Sequence, residues 1–368
     1  MNWLPIAIDS TLPDLSCCTN SLYGMGCTWV LVTQRSRSQN SATSASSSGH
    51  NWPGFQGVPS GEFGAGLGAD PGDEGGVGRG MSGFLREPSC QPRTIADMTQ
   101  RVIGVDFSSR PSRRKPIVMA SGLLQGAVLQ FTGLQRFESL EAFGAWLAQP
   151  GPWVGGFDLP FGLPRELVQQ LGWPLDWATN IAHYASLSRQ QVRDTFAAFC
   201  DARPVGAKFA HRSCDLPAGS SPSMKWVNPP VAYMLHAGVP LLRAAGLRFP
   251  AHSPSQGDAD RVALEAYPGM LARELIARRS YKSDETAKQT ADRLIARKDI
   301  VEALEQGRSR LGLRLKLSAA QRDTLADDAS GDSLDAVLCL VQAGWATRQP
   351  GWGLPAVVDA LEGWILTA

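Results

Sequence analysis

The chain has 368 residues, a formal charge of +1, 43% hydrophobic residues and 11 tryptophans, which is too much for one average domain, enough for a sizeable core, and incompatible with a strongly basic protein. A near-neutral total leaves room for a locally basic face, so nucleic acid stays open as a partner. The seven cysteines form no C-x-x-C pair and their odd number argues against a closed disulfide framework, no apolar run approaches the roughly 18 residues of a membrane span, and no leader pattern opens the chain, so a cytoplasmic location is expected.

Residues 35–80 are dominated by Ser, Gly, Asn and Pro, with too few apolar groups to offset the entropy of ordering. The run 28–32 could form a strand, but it has no evident partner nearby, and a lone strand is not stable. Residues 1–100 therefore read as a disordered extension, with Met98 a candidate for the true start. A compact domain is expected over residues 101–368.

Within that domain, residues 101–107 (RVIGVDF) read as a buried β-branched strand. Residues 116–120 and 126–132 are two further strand-like runs, with a turn around 122–125, and short links of this kind imply antiparallel hairpins. Residues 138–147 carry apolar side chains at helical spacing and stop at Pro150 and Gly151. Residues 153–158 form a fourth strand after this crossover helix, which favours a parallel neighbour and a right-handed connection. Residues 165–255 read as a helical insertion interrupted by a loop at 204–230. A fifth strand at 261–267 is followed by helices at 269–279, 286–304 (expected to be exposed), 317–326 and 330–346. Residues 361–366 fit either an edge strand or a short helix. This is the element order of an RNase H-like α/β fold, a mixed sheet with flanking helices in which the first strand is central and the fourth lies parallel beside it.

Acidic residues fall where burial is costly. Asp106 and Asp158 close strands, Glu265 lies inside one, and Asp332 and Asp335 sit at i and i+3 on the last long helix. With the expected topology, Asp106 and Asp158 share the C-terminal edge of adjacent parallel strands about 4.8 Å apart. Carboxylates brought together there repel unless a cation or proton intervenes, and hard ions such as Mg²⁺ or Mn²⁺ suit them. Arg110, Arg113, Arg114 and Lys115 follow Asp106, and Lys208, His211, Arg212 and Lys225 lie in the insertion loop near Trp226. Of these, Lys208 and Arg212 are the expected phosphate-binding residues. Neither Walker A nor G-x-G-x-x-G patterns occur, and Cys200, Cys214, Ser108 and Ser109 lack the surroundings of a nucleophile.

Four strings, VIGVDFSSR (102–110), GGFDLPFGLP (155–164), LEAYPG (264–269) and GDSLDAVLCLVQAGWA (331–346), resemble in sequence and order the uncharacterised domain family numbered four-two-nine, regarded as a predicted nuclease group of RNase H fold. The last also looks like the D-x-x-D-A helix of Holliday-junction resolvases. The resemblance implies Asp106 as the first-strand acid, Asp158 or Glu265 as the middle acid, and Asp332 or Asp335 as the last-helix acid. The expected activity is metal-dependent hydrolysis of phosphodiesters in nucleic acid or a small phosphorylated compound. An actin-like ATP-dependent phosphotransferase and a non-catalytic binding module are the alternatives.

Overall fold

A computed structural model describes residues 99–368. The expected extension and the strand candidate at 28–32 lie outside the described residues. In chain order the elements are β1 (Gln100–Asp106), β2 (Ile117–Gln125), β3 (Val128–Phe137), α1 (Leu140–Leu147), β4 (Trp153–Asp158), α2 (Arg165–Gln170), α3 (Trp177–Ser186), α4 (Arg189–Asp201), α5 (Asp215–Ala218), α6 (Val231–Ala244), β5 (Leu247–Arg248), β6 (Asp258–Glu265), α7 (Pro268–Ile276), α8 (Ala291–Glu305), β7 (Arg314–Lys316), α9 (Ala319–Asp327) and α10 (Asp332–Ala346).

The strands form one mixed sheet in the order β5-β6-β4-β1-β2-β3-β7. The first three strands are antiparallel neighbours, and β4 lies parallel to β1 with β6 parallel beyond it. Side chains alternate between faces along a strand, and each face of this sheet is buried. Ile103, Val105, Trp153 and Phe157 join a core with residues of α1, α2, α3, α4 and α6, whereas Val102, Val154, Val262 and Leu264 join a second core with α7, α8, α9 and α10. A sheet covered on both faces explains why its central strands read as continuous apolar runs.

Helix α10 crosses β1 and β4 at backbone contact. A Cβ at Gly104 would collide with the main chain of Ala336 and Leu340, and one at Gly156 would lie 2.6 Å from the Cys339 carbonyl oxygen. Glycine at these two positions is what lets the helix sit down on the sheet, so α10 is buried nearly all round instead of on one face.

Other details differ from expectation. The β2–β3 turn comes at Gly126, which has φ +55°, whereas Gly122 continues the strand under Leu129 and Leu340. Helix α8 is not an exposed helix, because Ala296, Ile300, Val301 and Leu304 join the second core. The short edge strands β5 and β7 have too few residues to stand out as patterns. Residues 361–366 form neither a strand nor a helix; they join the sheet through a parallel bridge, Ile365 to Glu265, and place Leu361 and Leu366 in the two cores. No described helix is long and apolar enough to cross a membrane.

Candidate metal centre

The parallel register pairs Asp106 directly with Asp158, so both side chains leave the sheet on the same face, which is the α10 face. Asp335 occupies the first turn of α10, one residue before the Ala336 main chain that packs on Gly104. Together Asp106, Asp158 and Asp335 bring carboxylate oxygens within 4.8 Å of one another. Three anions this close raise the cost of ionising each other. Burial, followed by Asp335 and then Asp332, pushes the Asp106 carboxyl well above the usual carboxylate range. Burial and the Asp335 charge raise Asp158 to about 7.

Asp335 is held by two donors. The Tyr281 hydroxyl donates to its Oδ1 at 2.6 Å, and Lys282 Nζ donates to its Oδ2. Lys282 thus brings a positive charge to the cluster, opposing the upward shifts of Asp106 and Asp158. Neither Tyr281 nor Lys282 is distinguishable in the sequence, since they lie in the irregular link between α7 and α8. Asp332 lies beside the cluster but is engaged elsewhere: Lys115 donates to it at 2.8 Å and to Asp284 at 2.9 Å. Of the two α10 acids, Asp335 therefore joins the three-carboxylate group.

Glu265 belongs to a different assembly. Its register partner on β4 is Phe157, not Asp158, and this offset of one residue turns its side chain to the opposite face. There Arg212 grips it with Nη1 to Oε2 at 2.8 Å and Nη2 to Oε1 at 2.7 Å, and the Phe161 N–H donates at 2.9 Å. Burial raises its carboxyl, with Arg212 pulling the other way. Glu265 is thus a structural acid in a buried pair, which corrects its expected place among the metal ligands.

The expectation that Arg212 binds phosphate is corrected for a related reason. All five N–H donors of the Arg212 side chain are taken by Asp215, Glu265 and the Glu362 carbonyl, which leaves none for a substrate. Lys208 lies on an exposed loop with its closest acid, Asp201, at 3.9 Å. His211 is likewise exposed. Cys214 is buried, and burial pushes its thiol up to about 12, against a nucleophilic role. Arg212→Ala is expected to cost roughly 3–5 kcal/mol by leaving Glu265 and Asp215 as uncompensated buried carboxylates; a urea unfolding midpoint equal to that of the native chain contradicts this assignment.

A pattern in the two central strands could have separated the acids. Val102, Gly104 and Asp106 in β1 match Val154, Gly156 and Asp158 in β4, a V-x-G-x-D spacing that puts each small residue and its acid on one face. In β6 the corresponding positions hold Val262, Leu264 and Ala266, and Glu265 falls on the alternate phase.

A cavity of about 490 Å³ opens next to Asp158 and Lys282, between the end of β6, the start of α7 and the link that follows it. Compared with family models, characterised proteins and solved structures, the chain matches none of them.

Proposed function

We propose that the protein is a metal-dependent phosphodiesterase of RNase H-like fold, with Asp106, Asp158 and Asp335 holding Mg²⁺ or Mn²⁺. The observation that carries this reading is the convergence of three carboxylates, from β1, β4 and α10, within 4.8 Å. A central first strand with hairpin neighbours and a parallel fourth strand supports the fold assignment.

The donor set is all oxygen, as hard divalent cations require. When bound, such an ion polarises the phosphate and lowers the pKa of a coordinated water. The chain's own residues supply the rest. Asp106 and Asp158 are fixed by the sheet register, and Asp335 is oriented by Tyr281. Lys282 lines the cavity and lies beside the acids, so its ammonium is placed to meet a phosphate oxygen at that end. In the hydrolysis, the water oxygen bonds to phosphorus, the phosphorus–oxygen ester bond opposite breaks, and the leaving oxygen takes up a proton.

The test is cleavage of single-stranded oligonucleotides and of bis(p-nitrophenyl) phosphate in Mg²⁺ or Mn²⁺, against the same mixture in EDTA. Cleavage only with metal is expected; equal cleavage in EDTA, or none under any condition, removes the reading. Mn²⁺ affinity should also rise with pH. Asp158 must lose its proton to bind, and its carboxyl titrates near 7 in the metal-free protein, so binding should strengthen from pH 5.5 to pH 8. Metal-free stability runs the opposite way. A carboxyl whose folded pKa is raised contributes stability that is fully present below about 4 and is lost as pH rises through about 7. A flat Mn²⁺ titration across this range contradicts binding at Asp158.

A further inference from the structure

We infer that the cavity beside Asp158 is a binding site for a single nucleotide unit, with its phosphate at the Asp158–Lys282 end and its base against Tyr267. The inference rests on the phosphodiesterase reading for the direction of the phosphate, but not for the site itself.

Size is the first argument. About 490 Å³ falls in the roughly 300–1,000 Å³ range of small-molecule sites. That suits one nucleotide and does not extend to a stretch of duplex. The lining is the second argument. Pro160, Val231, Met234 and Pro268 give apolar walls, and Tyr267 adds an aromatic ring; such a surface receives a base, whose faces stack without regard to sequence.

Charge is the third. The Arg212–Glu265 pair in the wall is mutually neutralised, which leaves Arg273, Arg279 and Lys282 as the other cations of the lining. Lys282 is paired with Asp335 and Arg279 with Asp299. Arg273 is different. Its guanidinium lies over the Tyr267 ring, 5.3 Å from the centroid, and donates to the Tyr267 hydroxyl and to the carbonyls of Ala218 and Gly219. Among the described residues these partners are all neutral, so a cation is fixed on the cavity wall with no acid to compensate it. Arg273 thus sits at the Tyr267 end with the base, and the phosphate meets Lys282 at the Asp158 end. The guanidinium contact steadies the Tyr267 ring as a stacking platform.

Finally, Asp158 and Lys282 border both the cavity and the three-carboxylate group. A nucleotide seated in the cavity places its phosphate at the acids, and any continuing strand must leave past them. The site is therefore suited either to a free nucleotide or to the last nucleotide of a strand, and not to the interior of a helix.

Calorimetric titration of the full chain with adenosine 5′-monophosphate, with and without Mn²⁺, tests this directly. Binding is expected, and two variants should weaken it by at least about tenfold: Met234→Trp, which fills the cavity, and Arg273→Gln, which removes the guanidinium that steadies the Tyr267 ring while keeping a donor for the Ala218 carbonyl. Mn²⁺ affinity should be unchanged in both. Thermal melts check that each variant folds, and Arg273, being exposed, keeps the test decisive should the tryptophan not be accommodated. Absence of binding, or binding untouched by folded variants, overturns the inference. An oligonucleotide labelled at either end then separates the two sources, because stepwise release of terminal mononucleotides identifies a strand end, and binding without such release identifies a free nucleotide. If the monophosphate binds and the variants weaken it, yet no phosphodiester is cut, the nucleotide site stands and the hydrolytic reading fails.

Discussion

Asp106→Asn is expected to reduce metal-dependent phosphodiester cleavage by about a thousandfold or more while leaving the metal-free protein at least as stable as the native chain. The two halves of this outcome have one cause. Asp106 is pressed by burial and by the charges of Asp335 and Asp332, so in the absence of metal its ionised form is the unfavourable one. Asparagine keeps the shape and removes the charge, relieving a repulsion that folding otherwise has to overcome. With metal the balance reverses. The charge that burdens the empty cluster is the one that holds the cation, and its loss removes several kcal/mol of transition-state stabilisation, at 1.36 kcal/mol for each tenfold in rate (about a thousandfold in total). The check is a paired measurement of cleavage rate in Mn²⁺ and of the denaturation midpoint in EDTA. Full activity in the variant rejects the metal role of Asp106; a large fall in the EDTA midpoint means that the carboxylate is a structural group.

The coarse plan was within reach of the sequence because β1, β4 and α10 are buried on every side and their apolar character is strong. The positions of Asp106 and Asp158 follow from that plan, since each closes a strand and the strands are parallel neighbours. The middle acid was not separable by strand position alone. Register decides it, and Glu265 differs from Asp158 by a single step that sends it to the other face and into the grip of Arg212. Burial of an acid is thus compatible with either a metal or a guanidinium, and composition near the residue does not discriminate. Lys208 and Arg212 illustrate the same limit: a basic loop near the sheet edge was legible, but which cation faces solvent and which is fully engaged depends on partners, Asp215 and Glu265, that are 3 and 53 residues away in the chain. The residues that complete the site, Tyr281 and Lys282, come from a link without periodicity, where only the folded chain reveals their proximity to Asp335.

Gly104→Ala should be among the most disruptive single-methyl changes in the chain, costing about 3 kcal/mol or more of stability and a disproportionate share of metal affinity. The new Cβ would lie 2.7 Å from the Leu340 Cα and closer still to the main chain of Ala336, so no side-chain rotation can relieve it. Strand β1 cannot retreat, because it is hydrogen-bonded between β2 and β4 and its neighbours Ile103 and Val105 are fully buried in the opposite core. Helix α10 must therefore lift, at the upper end of the roughly 1–3 kcal/mol range that overpacking usually costs. Lifting moves Asp335 with it, since Asp335 adjoins the contact residue Ala336, while Asp106 and Asp158 stay with the sheet. The carboxylate triangle opens from one side. Mn²⁺ binding should consequently fall even under conditions where the variant remains folded. Gly144→Ala in α1 is the matched control: its Cβ meets only the Leu241 side chain at 3.6 Å, and alanine should there be neutral or stabilising by up to about 1 kcal/mol. If Gly104→Ala folds with native Mn²⁺ affinity, the close seating of α10 is not what assembles the centre; if both variants behave alike, the cost belongs to glycine replacement in general and not to the helix–sheet contact.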